Sequence, residues 1–158
     1  MSPISYDQLS DLEKSALVEA ENTLKNAYTP YSHFNVAACL YSQNGQLVSG
    51  ANCENASYGL VMCAERSAIV RANAMGLRKF SGIAIITKGE TYDTAEPTAP
   101  CGSCRQMLYE LSQLSNCDLK VIMSTTKKDK IMVASISELL PYAFGPKDLD
   151  IDIAKYQK

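Results

Sequence analysis

Apolar residues near the start of the chain recur at helical spacing. Leu12, Ala16, Leu17, Ala20, Leu24 and Ala27 share one face, Ser10-x-x-Glu13 opens the run as a capping box, and Pro30 stops it. One amphipathic helix is therefore predicted to end near Tyr28. Residues 34–42 read as a strand, Asn44-Gly45 as a hairpin turn, and residues 46–52 as the returning partner. A second helix is predicted from about Cys63 to Met75, with Gly76 as its stop. An isoleucine-rich strand over 80–87 and a polar loop over 88–99 come next, then a helix from about Cys101 to Leu114 and a strand over 119–124. The link at 125–130 is too short for a crossover helix, so 131–134 is expected to pair antiparallel with the strand before it. Ser137 to Leu140 forms a short helical turn closed by Pro141, and the tail from Pro146 to Lys158 is polar and peripheral. The order α-β-β-α-β-α-β-β-α predicts an α/β fold: a mixed five-stranded sheet with an antiparallel last strand, covered by helices.

Length and charge narrow the field. The 158 residues suffice for one domain spanning 1–158, with a core of ordinary apolar content. Fifteen Lys and Arg against 17 Asp and Glu leave a net charge of -2, so no basic excess is available to grip a phosphate backbone, and Lys127-Lys128-Asp129-Lys130 reads as a solvated turn. No apolar run approaches the ~20 residues of a membrane span. Residues 1–6 lack the charged-then-apolar pattern of a signal peptide. Six cysteines without such a signal argue against a disulfide framework and for the cytoplasm. Cys39, Cys53 and Cys117 lie in or beside apolar stretches and read as small buried hydrophobes.

The other three cysteines carry the chemistry. Cys63 is followed by Ala64-Glu65, and Pro100-Cys101-Gly102-Ser103-Cys104 comes later. Cys101 and Cys104 are three apart at the opening of a helix, which brings both sulfurs to one side of its first turn. Cys63 opens the other helix. Helix N-termini favour thiolates, so all three are placed where deprotonation is easy. Zinc with three protein ligands keeps one position for solvent, the catalytic pattern. A redox pair at Cys101 and Cys104 is one alternative. A structural zinc site is another, and it needs a fourth ligand from Cys53, Cys117 or His33. Glu65 separates the readings: a carboxylate beside a metal in an apolar helix is best explained by proton transfer. Three thiolates leave the metal core at formal charge -1. Arg66, one turn beyond Cys63, is the better candidate to donate hydrogen bonds to sulfur, and Arg105 the lesser.

Together these residues resemble the zinc-dependent cytidine deaminase family, in its short-chain form with three cysteine ligands. The resemblance covers most of the chain: Tyr31-Ser32-His33-Phe34-Asn35-Val36, Gly50-Ala51-Asn52-Cys53-Glu54-Asn55-Ala56, Cys63-Ala64-Glu65-Arg66, Pro100-Cys101-Gly102-Ser103-Cys104-Arg105-Gln106, Glu138-Leu139-Leu140-Pro141 and Phe144-Gly145-Pro146. It implies a three-layer α-β-α fold and one zinc ion per subunit on Cys63, Cys101 and Cys104. It implies that Glu65 passes protons to N3 and to the leaving amine. Asn52 and Glu54 match residues that bind the ribose 3'-hydroxyl, Phe34 the aromatic that packs on the pyrimidine, and Ala64 a backbone contact to the base. Ala56, Tyr58 and Phe144 match residues that complete a neighbouring subunit's site, as family members of this size are usually homotetramers. One departure stands out: Ala37 replaces the usual glycine after the valine of Phe-x-Val, and its methyl is expected to crowd packing near the pocket.

The reaction so implied is hydrolytic deamination of cytidine and deoxycytidine in pyrimidine salvage, on a free nucleoside rather than on nucleic acid or at a membrane. Deaminases of polynucleotides and nucleotides typically have a helix before a parallel last strand, where this chain has a tight link. The remaining competitors are a zinc-stabilised interaction module, which requires four protein ligands, and a related deaminase of modified nucleosides.

Overall fold

The computed structural model describes residues 1–157. Its strands are β1 (Ser2–Ile4), β2 (Phe34–Tyr41), β3 (Leu47–Ala51), β4 (Gly82–Gly89), β5 (Lys120–Thr125) and β6 (Ile131–Ser135), joined in one sheet of order β1-β6-β5-β4-β2-β3. β4 and β5 run parallel and every other neighbouring pair is antiparallel. The helices are α1 (Asp11–Thr23), α2 (Ala64–Ala74), α3 (Gly102–Ser115) and the short α4 (Ile136–Leu139).

Strand residues alternate between two cores, as side chains on a pleated strand must. Ala38, Leu40, Ile83, Ile85, Val121 and Met123 face a cluster built with Ala64, Ala68 and Ala72 of α2, Leu108 and Leu111 of α3, and Ile136 of α4. Ala37, Cys39, Ala84, Ile86 and Ile122 point the other way, onto Ala16, Leu17 and Ala20 of α1. The result is the three-layer α-β-α arrangement, with α1 alone on one face. Ala37 belongs to the α1 side and is fully buried there. Its methyl therefore points away from the layer that holds α2 and α3, and the crowding anticipated at the pocket does not arise.

Local signals set the element ends. Ser10 and Glu13 form the predicted capping box: the Ser10 amide donates to Glu13 Oε2 at 2.8 Å and the Glu13 amide to Ser10 Oγ at 3.3 Å. Gly45 turns the β2–β3 hairpin at φ 84° and Gly76 ends α2 at φ 75°, both in the left-handed region that glycine occupies without penalty. α1 stops at Thr23 and continues only as a 3-10 turn over Leu24–Asn26, short of the expected end near Tyr28. The sheet has six strands where five were expected. The sixth, β1, lies at the edge against β6 with Pro3 opposite Met132, a place where a proline without an N–H is tolerated. Three residues containing a proline carry no strand signal of their own. Two of the three cysteines read as buried prove exposed: Cys39 is fully buried, but Cys53 and Cys117 are not. Both sit where a strand or helix gives way to a loop, so apolar neighbours in sequence do not cover them. The tail makes 3-10 turns at Pro146–Leu149 and Ala154–Tyr156, and Arg78 holds it through the Tyr156 carbonyl at 3.1 Å. The expectation for Lys158 lies outside the described residues.

Candidate active site

Cys63 is the N-cap of α2 and Cys101 the N-cap of α3. Both have extended backbones, and their carbonyls accept the first helical bonds, from Ser67 and Arg105, at 2.9 Å each. Neither side chain is spent on capping, so both sulfurs project from the helix ends. Cys104, in the first turn of α3, completes the set. The parallel pair β4–β5, with α3 as the connection between the two strands, and the packing of α2 against α3 bring the two helix starts together.

The Sγ atoms of Cys63 and Cys101 lie 3.9 Å apart and those of Cys101 and Cys104 3.4 Å apart, and all three lie within 4.8 Å of one another. Zinc–sulfur bonds of ~2.3 Å in a tetrahedron put sulfurs about 3.8 Å apart, so the cluster fits one zinc ion. Among the described residues no further His, Cys, Asp or Glu joins it, and all six cysteines are free thiols. His33 is instead a turn residue at φ 56°, with Nδ1 2.9 Å from Glu90 Oε2. Cys104 is buried, Cys63 intermediate and Cys101 exposed, so the cluster opens toward solvent on one side.

The sulfurs share their protons unequally. A hydrogen bond from Cys104 pulls the Cys63 thiol down to about 5, with the Arg66 guanidinium and Cys101 assisting, while Cys104, as donor to Cys63, is pushed up. Arg66 Nη2 donates to the Val61 carbonyl at 2.6 Å and reaches Cys63 Sγ at 3.8 Å. Its Nε is buried without a partner among the described residues. The other candidate donor to sulfur, Arg105, binds the carbonyls of Pro100 and Leu139 instead. Glu65, two residues from Cys63, is 4 % exposed. Burial raises its pKa, and the Cys63 thiolate adds to the effect against the opposing pull of a backbone amide.

β3 and the loop after it connect this centre to β2. Asn52, buried, spans the start of β2: its Oδ1 accepts from the Val36 amide at 2.9 Å and its Nδ2 donates to the Phe34 carbonyl at 2.9 Å. Glu54 Oε2 accepts from the Tyr31 and Ser32 amides at 3.0 and 3.2 Å, and hydrogen bonding to Ser32 lowers its pKa. Between them, Cys53 exchanges two backbone bonds of 2.9 Å with Met62, the residue before Cys63. Phe34 shares the face of Val36, which packs against the α2–α3 cluster. Ala64 is fully buried at the first position of α2. Ala56, Tyr58 and Phe144 are exposed on the surface; Tyr58 is 73 % and Phe144 60 % exposed. Tyr31 stacks edge-on against Tyr58 with ring centroids 5.8 Å apart. Sequence reasoning missed the loop-bracing bonds of Asn52 and Glu54, because a side chain's backbone partners have no sequence signature.

A family model described as the cytidine and deoxycytidylate deaminase zinc-binding region matches residues 10–117. The chain is 42% identical over 132 residues to the cytidine deaminase of Halalkalibacterium halodurans, a match that covers 84% of this chain and 93% of the other. It is 36% identical over 140 residues to a probable cytidine deaminase of Dictyostelium discoideum, covering 88% and 87%. The crystal structure of cytidine deaminase from Burkholderia pseudomallei aligns with a TM-score of 0.74 at 38% identity, covering 86% of this chain and 100% of that one.

Proposed function

This chain belongs to the cytidine and deoxycytidylate deaminase family, and from that premise we propose that it deaminates cytidine and deoxycytidine hydrolytically to the uridines, releasing ammonia, as a step of pyrimidine salvage. The observation that carries the reading is the closure of three sulfurs into one cluster with the buried Glu65 carboxyl on the same helical turn. A zinc ion held by Cys63, Cys101 and Cys104 supplies the Lewis acidity that makes water nucleophilic at neutral pH. Glu65 takes a proton from the attacking water and gives it to N3 of the pyrimidine, which makes C4 electrophilic. After the oxygen has added to C4, Glu65 takes that oxygen's remaining proton and gives it to the departing amine, so that both protons come from one water molecule and the C4–N bond breaks as ammonia leaves. Its raised pKa suits a group that must hold a proton before donating it. Arg66 offsets the charge of the Cys63 thiolate.

The substrate side follows the same helix and strand. Phe34 packs on the base and the Ala64 backbone contacts it. Asn52 and Glu54 receive the ribose 3'-hydroxyl. Each is already engaged with the 31–36 segment. An amide and a carboxylate nevertheless have more donor and acceptor positions than those bonds use. The exposure of Ala56, Tyr58 and Phe144 supports their being supplied to a neighbouring copy in a homotetramer. The whole of 1–158 acts as one deaminase domain. Free cysteines in a chain with no helix long and apolar enough to cross a membrane suit a cytoplasmic enzyme. The net charge of -2 and the antiparallel β5–β6 pair favour a free nucleoside over a nucleic acid.

A spectrophotometric assay of the zinc-loaded protein tests this. Cytidine and deoxycytidine should lose their absorbance as ammonia is released, and a single-stranded oligonucleotide should not be deaminated. Inertness toward both nucleosides would overturn the reading.

A further inference from the structure

Arg105 spans two backbone segments. Its Nε donates to the Pro100 carbonyl at 2.8 Å and its Nη1 to the Leu139 carbonyl at 3.0 Å. The Pro100 carbonyl belongs to the peptide group that leads into Cys101. Leu139 is the last residue of α4, where helical carbonyls lack partners within the helix. Five residues further on, the Phe144 carbonyl accepts from Gln106 Nε2 at 2.8 Å. One turn along α3, the Tyr109 ring covers Gly145 so closely that a Cβ there would stand 2.5 Å from its Cε1. The start of α3 therefore grips the 139–145 segment at both ends while carrying Cys101 and Cys104.

We propose that Arg105 is a positioning residue that ties the metal ligand Cys101 to the C-terminal segment bearing Phe144, so that one guanidinium governs both metal retention and the placement of that aromatic ring. The Phe144 half of this inference rests on the proposed function; the Cys101 half rests on the sulfur cluster alone. The side-chain type matters. A guanidinium presents donors in two fixed directions and reaches two carbonyls at once, whereas a lysine ammonium is a single compact charge. With Arg105 gone, the Pro100 carbonyl loses its hold, and the N-cap that aims the Cys101 sulfur is free to shift.

The test compares zinc-loaded wild type with Arg105→Met, Arg105→Lys and Gln106→Met. The rate of zinc transfer to a chromophoric chelator is measured without substrate, alongside KM and kcat for cytidine. Arg105→Met should release zinc ~10–100-fold faster, in the range seen when a partner of a metal ligand is lost. It should also raise KM, and Arg105→Lys should fall between it and wild type. Gln106→Met, which frees only the Phe144 carbonyl, should raise KM and leave zinc release unchanged. Wild-type zinc release from a folded Arg105→Met overturns the proposal, even if its melting temperature falls, because that is the signature of plain structural support. Should Arg105→Met not fold, Arg105→Lys decides the metal half by the same measure. An unchanged KM in a folded Arg105→Met overturns the Phe144 half. If the wild type deaminates no nucleoside, the proposed function fails and zinc release still tests the clamp on Cys101.

Discussion

Gly50 and Ala68 meet backbone to backbone: a Cβ on Gly50 would stand 2.4 Å from the Ala68 nitrogen and 2.8 Å from the Ala64 carbonyl oxygen. α2 therefore lies on β3 at a separation that only glycine permits. The contact sets the height of α2 over the sheet, and with it the positions of Cys63 and Glu65 at the helix start.

Gly50→Ala should destabilise the protein by ~1–3 kcal/mol, the cost of forcing a methyl into a packed contact whose neighbours are backbone. Gly59→Ala, where nothing lies within 4 Å of the added Cβ, should stay within about 0.5 kcal/mol of wild type. Urea unfolding of both variants checks this, and equal midpoints would refute the close approach as a constraint.

Asn52→Ala should cost ~1–3 kcal/mol, since it strips the Val36 amide and the Phe34 carbonyl of their partner. KM for cytidine should rise as well, because the freed segment carries Phe34. Denaturation and steady-state kinetics on one preparation would show whether the two losses travel together.

Glu65→Gln should lower kcat by ~10²–10⁴-fold, the usual contribution of a positioned acid–base group. Zinc content and melting temperature should hold, because the amide occupies the same volume. Normal turnover in this variant would end the proton-transfer role.

Arg66→Gln removes the guanidinium from the Val61 carbonyl and from Cys63 Sγ. The Cys63 pKa, held at about 5 by the Cys104 hydrogen bond and by Arg66, should rise. Protons then compete with zinc at higher pH, so zinc occupancy should fall at a higher pH than in wild type. Activity should drop ~10–100-fold. Metal analysis after dialysis across a pH series reads the effect directly.

Glu13 links the fold to pH. Burial alone would raise its pKa, but the Lys120 ammonium at 2.6 Å and the Ser10 amide outweigh burial and lower it. A carboxylate with a depressed folded pKa contributes stability above its unfolded pKa, and that contribution disappears as pH falls through the folded value. Glu13→Gln, which keeps the capping box but loses the charge facing Lys120, should therefore cost about 1 kcal/mol at pH 7, the upper end for a partly exposed ion pair. The gap to wild type should close as pH is lowered below the ordinary carboxylate range. A gap that is constant from pH 7 to acid would refute the ionic contribution.

Signals confined to one turn of chain were legible. The Ser10–Glu13 box, the Asn44-Gly45 hairpin and the Gly76 stop act between residues two to four apart, and the cysteines at 101 and 104 share one helical turn. The exposure of Cys53 and Cys117, the edge strand at Ser2–Ile4 and the carbonyl partners of Arg105 were not legible. Each depends on what lies alongside in space, and Arg105 finds Leu139 across 34 residues. The face of Ala37 was open to misreading for the same reason, since alternation along a strand says which residues share a side but not which layer covers it.

The sequence by itself determined three candidate thiolates, the acid beside them and the helices that present them, because residue chemistry and local hydrogen bonding are encoded in neighbouring positions. Only the tertiary structure decided that Cys63 meets Cys101 across 38 residues at 3.9 Å, and that Asn52 and Arg105 spend their side chains on distant backbone. Those contacts exist because β4 and β5 pair in parallel and α2 settles onto Gly50, and pairing at such separation is set by the packing of the whole sheet.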